Sequence, residues 1–354
     1  MNELLDSPTI LPVPEVGTGD EVKPPAPPDW GSVFSAATFT GAELQTLERT
    51  PRELILASWF RAADLGYVFA PRGLGKTWLA MLFAQAIADG TKAGPWGASK
   101  PRRTLYVDGE MALDLTQQRY RALCPNPSGN LIFLHHEVMF ERTGQVLNLT
   151  APLVQESLLQ YAVANKIEVI FLDNLSCLFS GVKENDADAW ELILPWLLQL
   201  RRRGIAVVFV AHAGRNGLMR GTSRREDAAA WIISLSEPPE TTATGTGAHF
   251  VARFTKCRNC PSEDVPTMEW HFKREGADGV SVHFKVADQL MIFRGWIEDG
   301  LDNCGDIAAE MGVSKGTISK LAKRAVKAGW LTINRRRYVL DTPPVCSQPY
   351  PDDE

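Results

Sequence analysis

The sequence has no run of apolar residues long enough to cross a lipid bilayer, although 45% of its 354 residues are hydrophobic. Its first residues lack the basic start and the apolar stretch of a secretory signal peptide. The six cysteines are scattered along the chain, which is typical of reduced thiols rather than of a disulfide framework. These absences lead us to expect a globular cytoplasmic protein with no membrane partner.

A second cysteine pair at the spacing of a zinc site is also missing. Cys257 and Cys260 form one Cys-x-x-Cys motif, but no matching pair accompanies it. The sequence therefore favours two free thiols over a metal site at this position.

Acidic residues are absent from Met311 to Leu340, a stretch that contains eight basic residues. The whole chain carries a formal net charge of −5. A basic segment inside an acidic protein indicates a polyanion partner for that segment alone.

The middle of the chain alternates short apolar runs with helical patterns. The strand-like runs lie at 66–70, 104–108, 131–135, 168–173 and 205–212, and the helical patterns at 77–89, 112–123, 153–164 and 188–203. Apolar strands joined by helices predict an α/β fold with a mostly parallel sheet flanked by helices on both faces. Four later runs, at 231–236, 249–256, 267–274 and 280–286, have no helices between them and predict an antiparallel extension.

Composition also predicts the domain boundaries. Residues 1–30 are rich in proline and acids and are expected to be disordered. Residues 31–287 hold the predicted α/β domain, and helical patterns return in 288–341, where we expect a small second domain. Residues 342–354 are expected to be a flexible tail.

A phosphate-binding loop is predicted where the first strand meets the first helix. In such a loop, backbone N–H groups surround the phosphates of ATP, Lys76 reaches the β- and γ-phosphates, and the Thr77 hydroxyl holds Mg²⁺. The first glycine of the motif is replaced by Ala70, at a strand end where a small side chain can suffice. The predicted nucleotide-binding residues are Ala70, Pro71, Arg72, Gly73, Leu74, Gly75, Lys76, Thr77 and Trp78.

Three more polar side chains lie at the ends of predicted strands. Asp173 ends the run 168–173, the position of a carboxylate that orients Mg²⁺. Glu110 follows the run 104–108 and can polarise an attacking water, with a turn carboxylate as the alternative. His212 ends the run 205–212, within reach of the γ-phosphate, with a structural histidine as the alternative.

Four segments, taken in their order along the chain, resemble the RecA-like ATPases of the plasmid RepA helicase group. They are RGLGKTWLA, LYVDGEM, VIFLDNLS and VVFVAHAGRNGLMRGTSRREDAAAW. They are similar, more distantly, to replicative helicases of the DnaB type. The resemblance implies that Glu110 is the catalytic glutamate, Asp173 the Mg²⁺ acid and His212 a sensor of the γ-phosphate. It also implies a homo-oligomer in the form of a hexameric ring.

The segment from Lys256 to Asn259 resembles the Lys-x-Arg-Asn element that replicative helicases insert into the ATP site of a neighbouring subunit. A cation supplied in trans stabilises charge on the transferring phosphoryl group. Because Lys256 and Arg258 are two residues apart on a predicted strand, both are expected to project from one face. The alternative is a solvated basic strand end.

A basic, glycine-rich segment follows His212 and carries Arg215, Arg220, Arg224 and Arg225. The resemblance implies that loops at this position line a central channel and contact single-stranded DNA. Arginines on a mobile loop suit phosphate contacts without base readout. A surface loop without a partner is the alternative.

The C-terminal segment 288–341 resembles a winged helix-turn-helix. Ser314 can cap a second helix, and the apolar residues from Ile318 onward define its buried face. The opposite face and the following hairpin carry the expected contacts with duplex DNA: Lys315, Thr317, Ser319, Lys320, Lys323, Arg335, Arg336 and Arg337. Winged helices also bind proteins, which is the alternative.

Together these patterns predict a RecA-like motor that hydrolyses Mg-ATP and acts on DNA as a helicase, in replication or in the maintenance of a mobile element. Two other hypotheses remain open. One is a DNA-binding regulator controlled by ATP, and the other is a loader or recombination mediator that binds DNA without unwinding it.

Overall fold

The computed structural model describes residues 28–181, 187–213, 223–238, 247–276 and 279–341, without the side chains of 187–191 and 223–225. The predicted tails therefore lie largely outside the described residues. The chain divides into two compact units, one ending at Pro51 and one beginning at Arg52.

The helices and strands are numbered in chain order. The helices are α1 Trp30–Ala37, α2 Gly41–Thr46, α3 Lys76–Asp89, α4 Leu113–Leu123, α5 His136–Thr143, α6 Pro152–Ala164, α7 Leu175–Leu178, α8 Ala187–Arg202, α9 Ser223–Ala228, α10 Gln289–Glu298, α11 Cys304–Glu310 and α12 Lys315–Lys327. The strands are β1 Leu54–Leu56, β2 Phe60–Arg61, β3 Leu65–Ala70, β4 Lys92–Ala93, β5 Trp96–Gly97, β6 Thr104–Asp108, β7 Leu131–His135, β8 Val169–Asp173, β9 Ala206–His212, β10 Trp231–Ser236, β11 Gly247–Cys257, β12 Met268–Glu275, β13 Gly279–Val286, β14 Leu331–Asn334 and β15 Arg337–Leu340. Within the described ranges, no helix is long and apolar enough to span a membrane.

The first unit contains α1 and α2, and local caps fix where both helices begin. Asp29 accepts a hydrogen bond from the Gly31 amide at 3.1 Å, ahead of α1. Thr40 and Glu43 form a reciprocal capping box at the start of α2. All residues of both helices are exposed, so local hydrogen bonds define these helices rather than a core.

Nine strands of the second unit form one sheet in the order β13-β12-β11-β10-β3-β9-β8-β6-β7. The six strands from β10 to β7 are parallel, and β11, β12 and β13 are antiparallel. This arrangement confirms the predicted α/β fold with its mostly parallel sheet and antiparallel extension. The assignment of 231–236 to the antiparallel part is wrong, because the connection through α9 brings the chain into β10 parallel to β3.

Both faces of the sheet are covered, and strand residues alternate between the two cores. In β3, Val68 and Ala70 pack in the core that contains α3, whereas Tyr67 and Phe69 pack in the core that contains α6 and α8. Because apolar side chains cover the faces, a polar site is expected at the carboxyl ends of the parallel strands.

Helix α8 continues through Pro195. The helix begins at Ala187, well before this proline. The proline removes one backbone hydrogen bond. The apolar face that α8 buries against the sheet offsets this loss, and its core residues are Ile193, Trp196, Leu197 and Leu200.

Residues from Asp288 onward build a third core from α10, α11, α12 and the β14–β15 hairpin. Its largest buried side chains are Phe293, Trp330 and Tyr338. Arg253 of β11 connects the large sheet to this C-terminal module, since its guanidinium lies 2.5 Å from the Asp299 carboxylate and donates to the Gly295 carbonyl at 3.2 Å.

Candidate active site

The loop between β3 and α3 has the backbone that close approach to a ligand requires. Gly73 and Gly75 have φ angles of 77° and 111°, which favour glycine. A Cβ atom on Gly75 would lie only 2.8 Å from the Ala248 side chain, so glycine is also required by space.

Ala70 occupies regular strand rather than the loop itself. It is fully buried, pairs in register with His212, and accepts a hydrogen bond from the Ala213 amide at 2.8 Å. A residue with strand geometry does not need glycine's conformational freedom. Alanine therefore fits where the motif usually has its first glycine.

Lys76 begins α3 and is buried beneath the loop. Its ammonium donates to the carbonyls of Ala70 at 3.1 Å and Pro71 at 2.8 Å. Burial lowers the pKa of Lys76 to about 8, while the nearby charges of Asp173 and Glu110 raise it. The loop thus holds a desolvated cation that an incoming anion can pair with.

Asp173 ends β8 and is also buried. The Tyr106 hydroxyl donates to its Oδ2 at 2.6 Å. Burial raises the pKa of Asp173 to about 6, although the Tyr106 hydroxyl and the nearby Thr77 hydroxyl lower it. A cation bound at this carboxylate would compensate for its desolvation.

The oxygens of Asp173 and Thr77 fit Mg²⁺, which prefers one or two protein oxygens and completes its shell with phosphate and water. Among the residues that the structure describes, no group of three or more His, Cys, Asp or Glu side chains could hold a metal.

Glu110 lies after β6 and remains partly exposed at the site. The Asn174 amide donates to Oε2 of Glu110 and lies 3.1 Å from Nε2 of His212. His212 Nε2 is 3.7 Å from Oε1 of Glu110. The close contact with His212 is the leading cause that lowers the pKa of Glu110, and the Lys76 charge adds to it. An ionised carboxylate so placed can orient a water molecule and accept its proton.

The structure thus brings Lys76, Thr77, Asp173, Glu110 and His212 together at one edge of the sheet. Sequence reasoning missed Tyr106 and Asn174, which hold the two acids. Tyr106 precedes Asp108 by two residues in β6, and Asn174 directly follows Asp173. Their positions beside the strand ends were the available signal, but their roles depend on which strands become neighbours.

The remaining loop residues differ in environment. Pro71, Arg72 and Gly73 are exposed, and Leu74 packs against the core. Trp78 packs on Phe272 with ring centroids 6.0 Å apart, and the Arg119 guanidinium lies 5.8 Å from its ring. Trp78 and Arg119 border a cavity of about 600 Å³, which Gly247, Arg274 and other residues of α4 also line.

Lys256 and Arg258 do not share a strand face. β11 ends at Cys257, and Arg258 lies in the following bend, so this part of the prediction is wrong. The pairing of β10 with β11 is irregular beside Lys256, and the Arg258 amide donates to the Ala230 carbonyl at 2.9 Å, which turns the chain. Lys256 is half-buried and its ammonium donates to the Glu226 carbonyl, whereas Arg258 is exposed.

Both cations lie far from the phosphate loop of their own chain. Cys257 pairs with Trp231, which pairs with Gly66 near the start of β3. The loop begins at the other end of β3, about 13 Å away at the usual rise of a strand. Lys256 and Arg258 therefore lie at the amino edge of the parallel strands, opposite the carboxyl edge that holds Lys76.

Of the predicted contacts with single-stranded DNA, Arg215 and Arg220 lie outside the described residues. Arg224 and Arg225 lie within α9, but their side chains are outside the described part of the chain.

The predicted duplex contacts lie on α12 and the hairpin. The exposed ones are Lys315, Ser319, Lys320, Lys323, Arg335, Arg336 and Arg337. Thr317 is half-buried, and its hydroxyl lies 3.0 Å from that of the cap residue Ser314. Arg337 is held by Asp302, with its Nη1 2.6 Å from both carboxylate oxygens.

The parallel sheet, the loop before α3 and the acid that ends β8 define a P-loop ATPase with a RecA-like fold. The chain belongs to the AAA domain family AAA_25, whose model matches residues 33–217. Of the curated proteins, none is significantly similar to this chain.

Two solved structures from archaea are similar in fold. The flagellar accessory protein FlaH of Methanocaldococcus jannaschii is 13% identical with a TM-score of 0.40, and the match covers 63% of this chain and 90% of FlaH. A KaiC-like protein of Pyrococcus horikoshii OT3 is 14% identical with a TM-score of 0.43, and the match covers 66% of this chain and 100% of that protein.

Proposed function

We propose that this ATPase is a ring-forming motor, a hexamer of the plasmid RepA type, that hydrolyses Mg-ATP and acts on DNA as a helicase in replication or in the maintenance of a mobile element. Residues 31–287 are its motor domain and residues 288–341 a winged helix-turn-helix domain that binds duplex DNA. Its proposed ligands are ATP, Mg²⁺ and DNA.

Each charged group at the carboxyl edge has a task in this proposal. Lys76 exchanges its two loop carbonyls for the β- and γ-phosphates, and Thr77 with Asp173 holds Mg²⁺. A bound Mg²⁺ neutralises charge that develops on the phosphates. Glu110 orients and deprotonates the attacking water. Asn174 contacts both Glu110 and His212, so a change in the protonation of Glu110 is passed to His212 and to the segment that follows β9.

The observation that carries the proposal is the location of Lys256 and Arg258 at the opposite edge of the sheet. They cannot reach the phosphate loop of their own chain. In a ring of identical subunits, the amino edge of one subunit can meet the carboxyl edge of the next. Lys256 and Arg258 then stabilise the phosphoryl transition state in trans.

The hairpin tip of the C-terminal module supports a nucleic-acid partner. Arg335 and Arg336 have φ angles of 48° and 69° at the two central positions of a tight turn that usually takes Asn-Gly. Arginine is strained in this backbone, and such strain often marks a functional position. Two exposed charges at the tip of a hairpin, together with the exposed lysines of α12, fit contacts with DNA phosphates.

Strand displacement and ATP hydrolysis, measured together with single-stranded and double-stranded DNA, test the proposal. We expect single strands to stimulate hydrolysis and a forked duplex to be opened, with Glu110→Gln protein as the inactive control. Duplex binding without strand opening or stimulation would favour the regulator. Stimulation by single strands without strand opening would favour the loader or recombination mediator.

A further inference from the structure

Three buried titratable side chains stand in one row across the carboxyl edge of the sheet. Asp108 of β6 is in register with Asp173 of β8 on one side and with His135 of β7 on the other. All three are buried, and residues in register on neighbouring strands point to the same face. The proposed chemistry uses Asp173 and gives no task to Asp108 or His135.

The carboxylate of Asp108 is fully engaged by groups near Glu110. Its Oδ1 accepts hydrogen bonds from the amides of Glu110 at 3.1 Å and Met111 at 3.0 Å. Its Oδ2 accepts a hydrogen bond from the Thr116 hydroxyl at 2.6 Å, which ties the first turns of α4 to the same group. One buried carboxylate therefore fixes both the turn after β6 and the helix that follows it.

The third amide of this turn is also held. The Gly109 amide donates to the Asp173 carbonyl at 2.7 Å. A Cβ atom at Gly109 would lie 2.5 Å from the Leu178 side chain, so the turn lies directly against α7. Three successive amides, of Gly109, Glu110 and Met111, are thus tied to the ends of β6 and β8.

Two adjacent histidines contact the same turn, His135 at the end of β7 and His136 at the start of α5. Nε2 of His135 lies 3.4 Å from the Thr116 hydroxyl and 3.9 Å from Oδ2 of Asp108. Nε2 of His136 lies 3.1 Å from the Met111 carbonyl, on the other side of the turn. Nδ1 of His135 is buried without a hydrogen-bond partner, which costs stability. The contacts of Nε2 with this turn offset that cost.

We propose that Asp108 is a positioning residue for ATP hydrolysis: with Thr116 and His135 it holds the turn that presents Glu110 to the attacking water. The inference rests on the proposed function, because it requires Glu110 to act in hydrolysis. In this proposal Asp108 acts through the turn and has no task at the nucleotide itself. Loss of its carboxylate leaves nucleotide binding by Lys76 and Thr77 in place and lets the Glu110 side chain leave the position in which Asn174 and His212 hold it.

The test is a double-mutant cycle between Asp108→Ala and Glu110→Gln, with kcat and KM for ATP measured for each protein. We expect Asp108→Ala to lower kcat about 10- to 100-fold with KM nearly unchanged, as supporting groups of active sites usually do. In the Glu110→Gln background the same substitution should cost almost nothing, since it acts through Glu110. Asp108→Asn keeps one acceptor oxygen for the two amides and should restore most of the turnover.

An activity-independent measurement accompanies the cycle. Hydrogen exchange at the amides of 109–111 should accelerate in Asp108→Ala protein while the amides of β6 stay protected. This inference would be overturned if the two substitutions lowered kcat independently, so that their effects multiply in the double variant. It would also be overturned if Asp108→Ala changed KM alone. Either result would leave the role of Glu110 intact. Wild-type turnover of Glu110→Gln protein would overturn both.

A milder pair of variants covers the case that Asp108→Ala protein does not fold. Thr116→Val removes one hydrogen bond to Asp108 and should lower kcat in the same direction. Thr104→Val is the matched control, because Thr104 is equally buried and hydrogen-bonded but lies at the far end of β6. Equal kcat values for the two valine variants would contradict the proposal.

Discussion

His212 lies 3.7 Å from Glu110, and the two side chains come from the ends of different strands. Asn174 contacts both of them, so a residue that follows β8 bridges residues that follow β6 and end β9. The contact with His212 is the leading cause that lowers the pKa of Glu110, which favours the ionised form of this acid. This contact ties the proposed base to the strand whose following segment is expected to face DNA.

Replacement of Glu110 by glutamine should abolish turnover without abolishing ATP binding. Glutamine keeps the size and the contact with Asn174 but cannot accept a proton. We expect kcat for ATP hydrolysis to fall by about 10²- to 10⁴-fold, the usual contribution of a general base. Fluorescent-nucleotide titration should give a Kd close to that of the wild type. Turnover within a few-fold of wild type would show that Glu110 is only a turn carboxylate.

Replacement of Lys76 by methionine should stabilise the nucleotide-free protein at pH 7. Burial lowers the pKa of Lys76 from 10.5 to about 8, so the unfolded chain binds more protons than the folded protein between these pH values. The wild-type free energy of unfolding therefore rises with pH across this window, and the burial penalty is fully present below pH 8. At about 1.4 kcal/mol per pH unit, the penalty that methionine removes is up to roughly 3 kcal/mol.

Denaturant unfolding at several pH values measures this effect. The advantage of Lys76→Met over wild type should be greatest near pH 7 and should shrink as the pH approaches 10.5. Lys92→Met is the matched control, because Lys92 is exposed in β4 and its replacement should change stability little at any pH. A methionine variant less stable than wild type at pH 7 would contradict the cost that we assign to the buried charge.

Replacement of Arg335 and Arg336 by Asn-Gly should strengthen the hairpin and weaken DNA binding at once. Asn-Gly prefers the positive φ angles that both arginines adopt, so the free energy of unfolding should rise by about 1–2 kcal/mol. If both arginines contact phosphates, the slope of log K against log salt for duplex binding should become shallower by about 2. Unchanged affinity and slope would exclude the hairpin tip from the DNA contact.

Arg337 provides the comparison for that experiment. Its guanidinium is already bound to the Asp302 carboxylate, so Arg337→Ala should lower the stability of the hairpin and change the salt slope less than the loss of Arg335 and Arg336.

Arg253 should hold the C-terminal module against the sheet. It combines an ion pair with Asp299, a hydrogen bond to the Gly295 carbonyl and a position 5.3 Å from the Trp296 ring. Arg253→Ala should lower the free energy of unfolding by about 1–3 kcal/mol and make the connection between β13 and α10 more sensitive to protease. Arg294→Ala is the control, since Arg294 pairs with Glu298 inside α10 and should leave that connection protected.

Local patterns predicted those parts of the site that depend on one strand and its end. Lys76, Asp173 and His212 were found because an apolar run shows where a strand ends, and parallel strands end at the same edge. Tyr106, Asn174 and Asp108 could not be assigned roles, because their partners depend on the order of β6, β8 and β9 in the sheet. The position of Arg258 was missed for a related reason, since an irregular pairing and a bend are set by tertiary contacts.

Mixing two inactive proteins tests whether Lys256 and Arg258 act on a neighbouring subunit. Lys76→Ala protein lacks the phosphate lysine but keeps Arg258, and Arg258→Ala protein has the reverse defect. After subunit exchange at equal amounts, about a quarter of the interfaces in a ring combine an intact loop with an intact arginine. ATP hydrolysis by the mixture should therefore exceed that of either protein alone. The control is Lys76→Ala protein mixed with the double variant, in which no interface has an intact loop. Mass spectrometry checks that the two proteins have exchanged subunits. If they have, and ATP hydrolysis does not rise above this control, Arg258 does not act in trans.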